Sequence, residues 1–310
     1  MDDLFEGLVS PETGCPLKQV NNYLVTIDKT EMFEIQNGIA CLLKNNDLDM
    51  MKLHELDVFN SLPIKNTSYF RESLFEDINA KVLRLCGQDC RGEQNAFSIV
   101  EMGGGEGYWA RHIKTKLPQA TVFVCDLSMK MLERAARTLK RVCADVTRPV
   151  FERKSIRMAS FWVSLHHLNA TDRERALRES VGSLEDGGLL LIFEPNIMFF
   201  LRSILYKSIL RKDVYFDEQE QAINFSEISR VLRNLDLVEV GTYFMNPPYN
   251  PDFVKKLKRW FIYLPAVELL HQIDRWILSP ILGSMLSMRQ SALKEYLSLY
   301  GLAIYRKGSV

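Results

Sequence analysis

A glycine-rich segment at positions 103–107 constrains the fold of this chain more than any other feature of its sequence. The apolar run 97–102 precedes it and predicts a buried strand, and the residues after Gly107 predict a helix. Glycine at 103, 105 and 107 permits backbone conformations closed to other residues and lets a ligand approach without a Cβ in its way. Because such loops bind nucleotides at the carboxyl ends of strands in open α/β sheets, we expect a nucleotide-type ligand here.

The charges around this loop indicate which ligand it accepts. A dinucleotide fingerprint requires a third glycine where Tyr108 stands, and it presents amide groups to a pyrophosphate without a neighbouring acid. Here Glu101 ends the strand and Glu106 lies inside the loop. Two carboxylates repel a phosphate and favour a ligand with an ammonium and a sulfonium group, such as S-adenosylmethionine (SAM). Asp126 ends the next predicted strand about 20 residues further on, the spacing at which an acid reaches a ribose diol.

The segment 101–107 resembles the first motif of the class I SAM-dependent methyltransferases, an acidic residue followed by Gly-x-Gly-x-Gly. Two further segments are similar to that family: Ser-Leu-His-His-Leu at 164–168, and Gly-Gly-x-Leu-Leu-Ile-x-Glu-Pro-Asn ending at Asn196. The family often has an acid where Trp162 stands, which implies a differently shaped pocket wall. The resemblance implies that SAM is the cofactor and that its contacts are Glu101, Gly103, Gly105, Gly107, Asp126, Leu127, Asp145, Val146 and Ser164.

Strand and helix patterns alternate from residue 96 onward, which predicts a parallel sheet. The expected fold class is α/β: a Rossmann-like, seven-stranded, mostly parallel sheet with helices on both faces. Two of the expected helices cover 129–139 and 196–210, the second with an exposed apolar start at 198–201.

A small β-rich appendage is expected at 1–45, where Asn37-Gly38 is a strong hairpin signal. This segment resembles a degenerate zinc ribbon. It retains only Cys15 and Cys41, whereas a structural zinc site needs about four ligands, so no metal is expected. A helical connector that covers the cofactor follows at 46–95, with Tyr69 as a candidate pocket residue. The methyltransferase domain then occupies 96–310, with a helical insertion at about 246–293.

Composition excludes several other classes. The 310 residues carry 39 Lys and Arg against 39 Asp and Glu, so no global charge favours a nucleic-acid partner. The six cysteines are too scattered for a disulfide scaffold. The acidic N-terminus is unlike a signal peptide, and no apolar run approaches the ~20 residues of a membrane span. These features favour a cytoplasmic protein.

His166, His167 and Glu194 are the candidate catalytic residues. The two histidines follow the fourth predicted strand, where the resemblance places the transferred methyl group. A hydroxyl nucleophile must lose its proton, and imidazole suits that task. The alternative is that both histidines only shape the pocket and that catalysis depends mainly on positioning. Glu194, at the end of the fifth strand, is a candidate for contacting the acceptor.

Two motifs in the last third of the chain have competing interpretations. Asn-Pro-Pro-Tyr at 246–249 resembles the amino-group-binding motif of adenine and glutamine N-methyltransferases, but it follows strand six instead of strand four, which favours a plain turn. The segment 255–290 combines basic and aromatic residues, which is typical both of a helix on an anionic membrane surface and of a helix packed on its own domain.

The sequence thus predicts methyl transfer from SAM to a small-molecule acceptor or a glycan- or lipid-linked one, at oxygen. The alternatives are a non-catalytic SAM-binding partner or regulatory protein, a protein or nucleic-acid methyltransferase, and a dinucleotide oxidoreductase. Tyr108 and the loop acids disfavour the last of these. No nucleic-acid partner is expected, and peripheral membrane contact through 255–290 is one expected mode of localisation, at the inner membrane face.

Overall fold

Eleven strands form one sheet among the residues that the computed structural model describes, which are 5–43, 48–61, 68, 70–86, 97–199, 222–255, 260–282 and 292–308. Their order across the sheet is β1-β2-β3-β4-β7-β6-β5-β8-β9-β11-β10. The strands are β1 Leu17–Val20, β2 Tyr23–Thr26, β3 Met32–Gln36, β4 Ile39–Cys41, β5 Ser98–Met102, β6 Thr121–Asp126, β7 Lys140–Cys143, β8 Ile156–Trp162, β9 Leu184–Pro195, β10 Leu237–Met245 and β11 Tyr300–Lys307.

The seven strands from β5 to β11 form the predicted Rossmann-like sheet. Strands β7, β6, β5, β8 and β9 are parallel neighbours, while β11 runs antiparallel to both β9 and β10. The order along the chain reverses between β5 and β8, since the chain first builds outward to β7 and then returns to the other side of β5. In open α/β sheets, ligands bind in the crevice at such a switch point.

The N-terminal strands extend this sheet instead of forming a separate layer. Strands β1 to β4 are an antiparallel meander, and β4 pairs in parallel with β7, with Cys41 opposite Cys143. The predicted hairpin at Asn37-Gly38 is confirmed: both residues have positive φ, 52° and 71°, as a type I′ turn requires. The meander therefore pairs with the edge of the Rossmann-like sheet that β7 would otherwise expose.

Helices cover both faces of the sheet, as predicted. Successive side chains of a strand point to opposite faces of the sheet, so the protein has two cores. Val100 packs with the helices at 170–183 and 225–233 on one face, and Ile99 packs with those at 72–86 and 108–116 on the other. The α-helices are α1 Met50–Ser61, α2 Glu72–Cys86, α3 Tyr108–Lys116, α4 Met129–Arg134, α5 Ala170–Ser183, α6 Phe225–Arg233, α7 Pro251–Val254, α8 Trp260–Ile273, α9 Ser279–Leu282 and α10 Ala292–Tyr296, with a 3₁₀ turn at Leu165–His167 and a π-helical turn at Asp274–Leu278.

Two helix predictions need correction. The helix expected over 129–139 ends at Arg134, because Ala135 is already extended and the chain turns there toward β7. The expected helix from 196 does not begin there: Asn196 forms a bridge with Ile223, and Phe199 is buried rather than exposed. The rest of that prediction, 200–210, lies outside the described residues, as does Tyr69.

Candidate active site

The glycine loop between β5 and α3 adopts a conformation that depends on its glycines. Gly103, Gly105 and Gly107 all lie in the left-handed region, with φ of 63°, 53° and 68°. A Cβ added at position 103 would lie 2.7 Å from the Cβ of Ser164, and one at 107 would lie 2.9 Å from Leu139 Cδ1. The loop is therefore packed directly against the segment that follows β8, and a larger residue at 103 would separate the two.

Glu101 lies beneath this loop at the end of β5. Its side chain is buried, and its Oε2 accepts a hydrogen bond from the Ala110 amide in the first turn of α3, at 2.8 Å. Burial raises the pKa of Glu101 to about 8, against the opposing effect of the amides that donate to it. The carboxyl group therefore anchors the start of α3, and its contact with the cofactor's ammonium group stays a prediction.

Glu106, the second loop acid, has its own partners. The hydroxyl of Tyr108 donates to Oε2 at 2.9 Å, and the guanidinium of Arg134 on α4 lies 3.5 Å from Oε1. Its charge is therefore compensated by α4.

Asp126, at the end of β6, is fixed against the glycine loop. Its Oδ2 accepts from the Gly105 amide and its Oδ1 from the Ser128 amide, both at 2.8 Å. Burial raises the pKa of Asp126, and the two amide donors partly offset this. A carboxylate offers about four acceptor positions, so two remain for a diol. The half-buried carboxylate thus fits the ribose of SAM.

Asp145, predicted to accept from the adenine amino group, already accepts three hydrogen bonds. The Thr147 amide and hydroxyl donate to Oδ1 at 2.9 and 2.8 Å, and Lys52 Nζ donates to Oδ2 at 2.7 Å. Lys52 also lies 3.9 Å from Asp172. Lys52 was not predicted from the sequence, because a lysine in a polar helix 93 residues away gives no signal of this contact. The neighbouring candidates, Leu127 and Val146, are both partly exposed.

Helix α1 contacts this site at two further points. The amide oxygen of Asn60 accepts from the Ser128 hydroxyl at 2.8 Å. The ring of Phe59 lies edge-on to His167, with ring centroids 5.3 Å apart. Helix α1 is therefore placed over the residues that follow β6 and β8, which is where a cover for a cofactor would have to lie.

Glu194 and His166 form a buried carboxylate–imidazole pair. Glu194 is 0% exposed and its Oε2 lies 2.7 Å from His166 Nδ1. Its Oε1 accepts from the amides of Ser164 and Leu165, at 2.8 and 2.7 Å. The Ser164 hydroxyl in turn donates to the Met102 carbonyl at 3.0 Å. Glu194 therefore connects the end of β9 to the turn after β8, and that turn to the glycine loop.

His167 is placed differently from His166. Its ring centroid is 4.0 Å from that of His166, and its ring makes a T-shaped contact with Phe59 on α1. Its electrostatic effect on Asp126 slightly opposes the increase in pKa that burial causes there. The structure thus brings the three candidate catalytic residues together, but only His166 pairs with Glu194 directly.

Two predicted features have mainly packing roles. Trp162 stacks on Phe193 with ring centroids 4.4 Å apart and is buried in the core on the α2 face. Asn246, the first residue of the Asn-Pro-Pro-Tyr motif, lies at the end of β10. Its backbone amide donates to Asp274 Oδ2 at 2.7 Å, and its side-chain Nδ2 donates to the Leu297 carbonyl at 3.0 Å. The motif therefore attaches the insertion to the sheet.

Among the described residues, no three His, Cys, Asp or Glu side chains are grouped so that they could hold a metal ion. Within the same part of the chain, no helix is both long and apolar enough to cross a membrane.

The strand order, the glycine loop at the switch point and the carboxylate after the second strand are the features expected of a class I SAM-dependent methyltransferase domain. A family model described as a methyltransferase domain matches residues 99–188. That match covers the glycine loop, Asp126, Asp145 and both histidines.

Solved structures with a similar fold were also found. Phosphoethanolamine N-methyltransferase 2 of Haemonchus contortus, in complex with SAM, has 14% identity and a TM-score of 0.48, and the similarity covers 75% of this chain and 53% of that one. This chain thus spans about half the length of that protein. A SAM-dependent methyltransferase of Archaeoglobus fulgidus has 14% identity, TM-score 0.46 and coverage of 84% and 100%. One from Mesorhizobium loti has 15% identity, TM-score 0.45 and coverage of 74% and 98%. No curated protein matches the chain. These similarities say nothing about an acceptor.

Proposed function

We propose that this protein transfers the methyl group of SAM to the oxygen of a small-molecule acceptor, or of a glycan- or lipid-linked one, with His166 as the general base. The observation that supports this most is the contact of 2.7 Å between His166 Nδ1 and a fully buried Glu194. This pair supplies the two parts of a general base, an imidazole and a carboxylate that orients it.

Glu194 is held as an orienting carboxylate. Two backbone amides donate to its Oε1, and this leaves Oε2 directed at the imidazole. A carboxylate on Nδ1 fixes the tautomer with the proton on that atom, so Nε2 carries the lone pair. The same carboxylate stabilises the imidazolium that forms when Nε2 takes a proton. Nε2 of His166 would then be the atom that takes a proton from an acceptor hydroxyl.

SAM, when bound, supplies an electrophilic methyl group. The chain's own residues do the rest. The glycine loop, Asp126 and helix α1 hold and cover the cofactor, His166 Nε2 takes the hydroxyl proton of the acceptor, and Glu194 balances the resulting charge. The buried surroundings of Glu194 strengthen that charge interaction.

The alternative functions, a nucleic-acid methyltransferase and a non-catalytic SAM-binding protein, have less support. Asn246 is engaged with the insertion, so the Asn-Pro-Pro-Tyr motif offers nothing specific for a nucleic-acid base. A non-catalytic SAM-binding protein would need the cofactor contacts but not the Glu194–His166 pair. No described contact favours either alternative over the small-molecule reaction.

The test combines binding and turnover. Protein would be incubated with SAM labelled in its methyl group and with fractionated small-molecule and lipid extracts, and label in each fraction would be counted. We expect His166→Ala and Glu194→Gln to bind S-adenosylhomocysteine as the wild type does but to lose about 10²-fold or more in labelling rate. The matched control is His54→Ala, an exposed histidine of α1, which should label normally.

Labelling by His166→Ala within a few-fold of the wild type would remove the general base and leave positioning as the mechanism. Cofactor binding without labelling of any fraction by the wild type would instead favour the non-catalytic alternative.

A further inference from the structure

The insertion carries an apolar surface that the described residues of its own domain leave exposed. Helix α8, the π-helical turn and α9 run continuously from 260 to 282. Four of their large apolar side chains are more than half exposed: Leu269, Trp276, Ile277 and Ile281, at 61%, 66%, 52% and 73%. What these side chains share is their exposure, because the π-helical turn at Asp274–Leu278 interrupts the α-helical period between Leu269 and Ile281. We refer to these four side chains as the outer face.

Both acids of this helical run are paired with basic side chains from other segments. Glu268 pairs with Arg71 at 2.7 Å, and Asp274 is buried against Lys294 at 2.8 Å. No other acid occurs between 260 and 282. Arg275 remains exposed, with its guanidinium 5.1 Å from the centroid of the Trp276 ring. The surface around the outer face is thus apolar and cationic.

The insertion as a whole carries a net positive charge. The insertion at 246–293 contains six Lys and Arg against three Asp and Glu, although the chain as a whole is balanced at 39 of each. Two of those three acids are the paired Glu268 and Asp274. A surface with exposed Trp and aliphatic residues beside an excess of positive charge complements an anionic lipid bilayer.

The insertion also lies at the edge of the sheet where the site is. Strand β10 is parallel to β9, since both are antiparallel to β11. Its end at Met245 is therefore at the same edge as the glycine loop and His166. Contacts between Phe70 and Tyr249, whose ring centroids are 5.2 Å apart, join the start of α2 to the insertion. A membrane in contact with the insertion would therefore lie next to the edge of the sheet that carries the candidate active site.

We propose that the outer face docks on an anionic lipid bilayer, with Trp276, Ile277 and Ile281 in the interfacial layer and Arg275 at the level of the headgroups. Trp suits this position because its ring is apolar while its N–H keeps a polar partner; here the indole N–H donates to Gln272 Oε1 at 2.9 Å. The contact is peripheral and does not depend on the proposed methyl transfer.

Flotation with vesicles of phosphatidylcholine, with and without phosphatidylglycerol, tests this proposal. We expect the full-length protein to float with the anionic vesicles, to bind neutral ones far less, and to lose binding as salt is raised. Trp276→Glu and Ile281→Glu should each lower binding about tenfold or more. Ile27→Glu is the matched control, since Ile27 is 65% exposed in the N-terminal meander and should bind as the wild type does.

Because these side chains are exposed, all variants should keep the wild-type circular dichroism and affinity for S-adenosylhomocysteine. Equal vesicle binding by Trp276→Glu and wild type would overturn the proposal. So would a wild type that binds no vesicles but sediments as a dimer which Trp276→Glu dissociates, since a second copy would then cover the face.

Discussion

Lys52 on α1 and Asp145 after β7 form a buried ion pair across 93 residues of sequence, with Nζ and Oδ2 2.7 Å apart. Their side chains are only 11% and 5% exposed. This pair joins the helix that covers the site to the carboxylate that the sequence analysis placed near the adenine. Helix α1 is therefore fixed over the site by charge as well as by packing.

Lys52→Met should destabilise the protein by about 3 kcal/mol, because the substitution leaves Asp145 buried without its cation. Chemical denaturation followed by circular dichroism measures this. The double variant Lys52→Met/Asp145→Asn should recover part of the loss. Lys154→Met, which breaks a largely exposed pair with Asp186, should cost less than about 1 kcal/mol. Equal costs for the two single variants would contradict the buried pair.

Glu101→Gln should change how stability depends on pH. Burial raises the pKa of Glu101 to about 8, above the ~4.3 of an unfolded chain. Between these values the native state holds a proton that the unfolded state has released, so the free energy of unfolding falls as pH rises from about 5 to 8. Glutamine removes that dependence and still accepts the Ala110 amide bond. The variant should therefore gain stability relative to the wild type as pH rises.

Unfolding curves at pH values across this window test the Glu101 prediction. The control is Glu34→Gln, an exposed residue of β3, whose difference from the wild type should not vary with pH. A Glu101→Gln difference that stays constant, or that shrinks toward pH 8, would show that the carboxyl group is ionised in the native state.

Gly103→Ala should be more damaging than an equivalent change elsewhere. Both Gly103 and Gly187 have positive φ, so alanine costs about 1–2 kcal/mol of backbone strain at either. Only at 103 would the new Cβ meet a neighbour, Ser164 Cβ at 2.7 Å, whereas nothing lies within 4 Å at 187. Gly103→Ala should therefore also displace the turn after β8 and weaken S-adenosylhomocysteine binding, while Gly187→Ala should bind normally. Calorimetric titration of both variants separates these effects, and equal affinities would refute the close approach.

Local patterns in the sequence were sufficient for the sheet and for the glycine loop. Strand and helix periodicities are local, so the strand that ends at Asp126 and the alternation of strands and helices after residue 96 were predicted correctly. The candidate residues His166 and Glu194 were also identified, because each follows a predictable strand. The parallel pairing of β8 and β9 then brings their carboxyl ends together.

What could not be predicted depends on contacts between distant segments. The ion pair of Lys52, the addition of β4 to β7 and the burial of Phe199 each require knowing which surfaces meet. No spacing rule encodes these. The early end of α4 has the same origin, since the local helix pattern continues past Arg134 while the path to β7 does not permit a longer helix.

The most direct test of the account is calorimetric titration of S-adenosylhomocysteine into the wild type and into Asp126→Ala, with Asp186→Ala as the surface control. The Gly105 and Ser128 amides hold the carboxylate of Asp126, which is predicted to contact the ribose. We predict micromolar binding by the wild type and the control, and a loss of about tenfold to a hundredfold in Asp126→Ala. No binding by the wild type, or equal binding by Asp126→Ala, would contradict the assignment of this site to SAM.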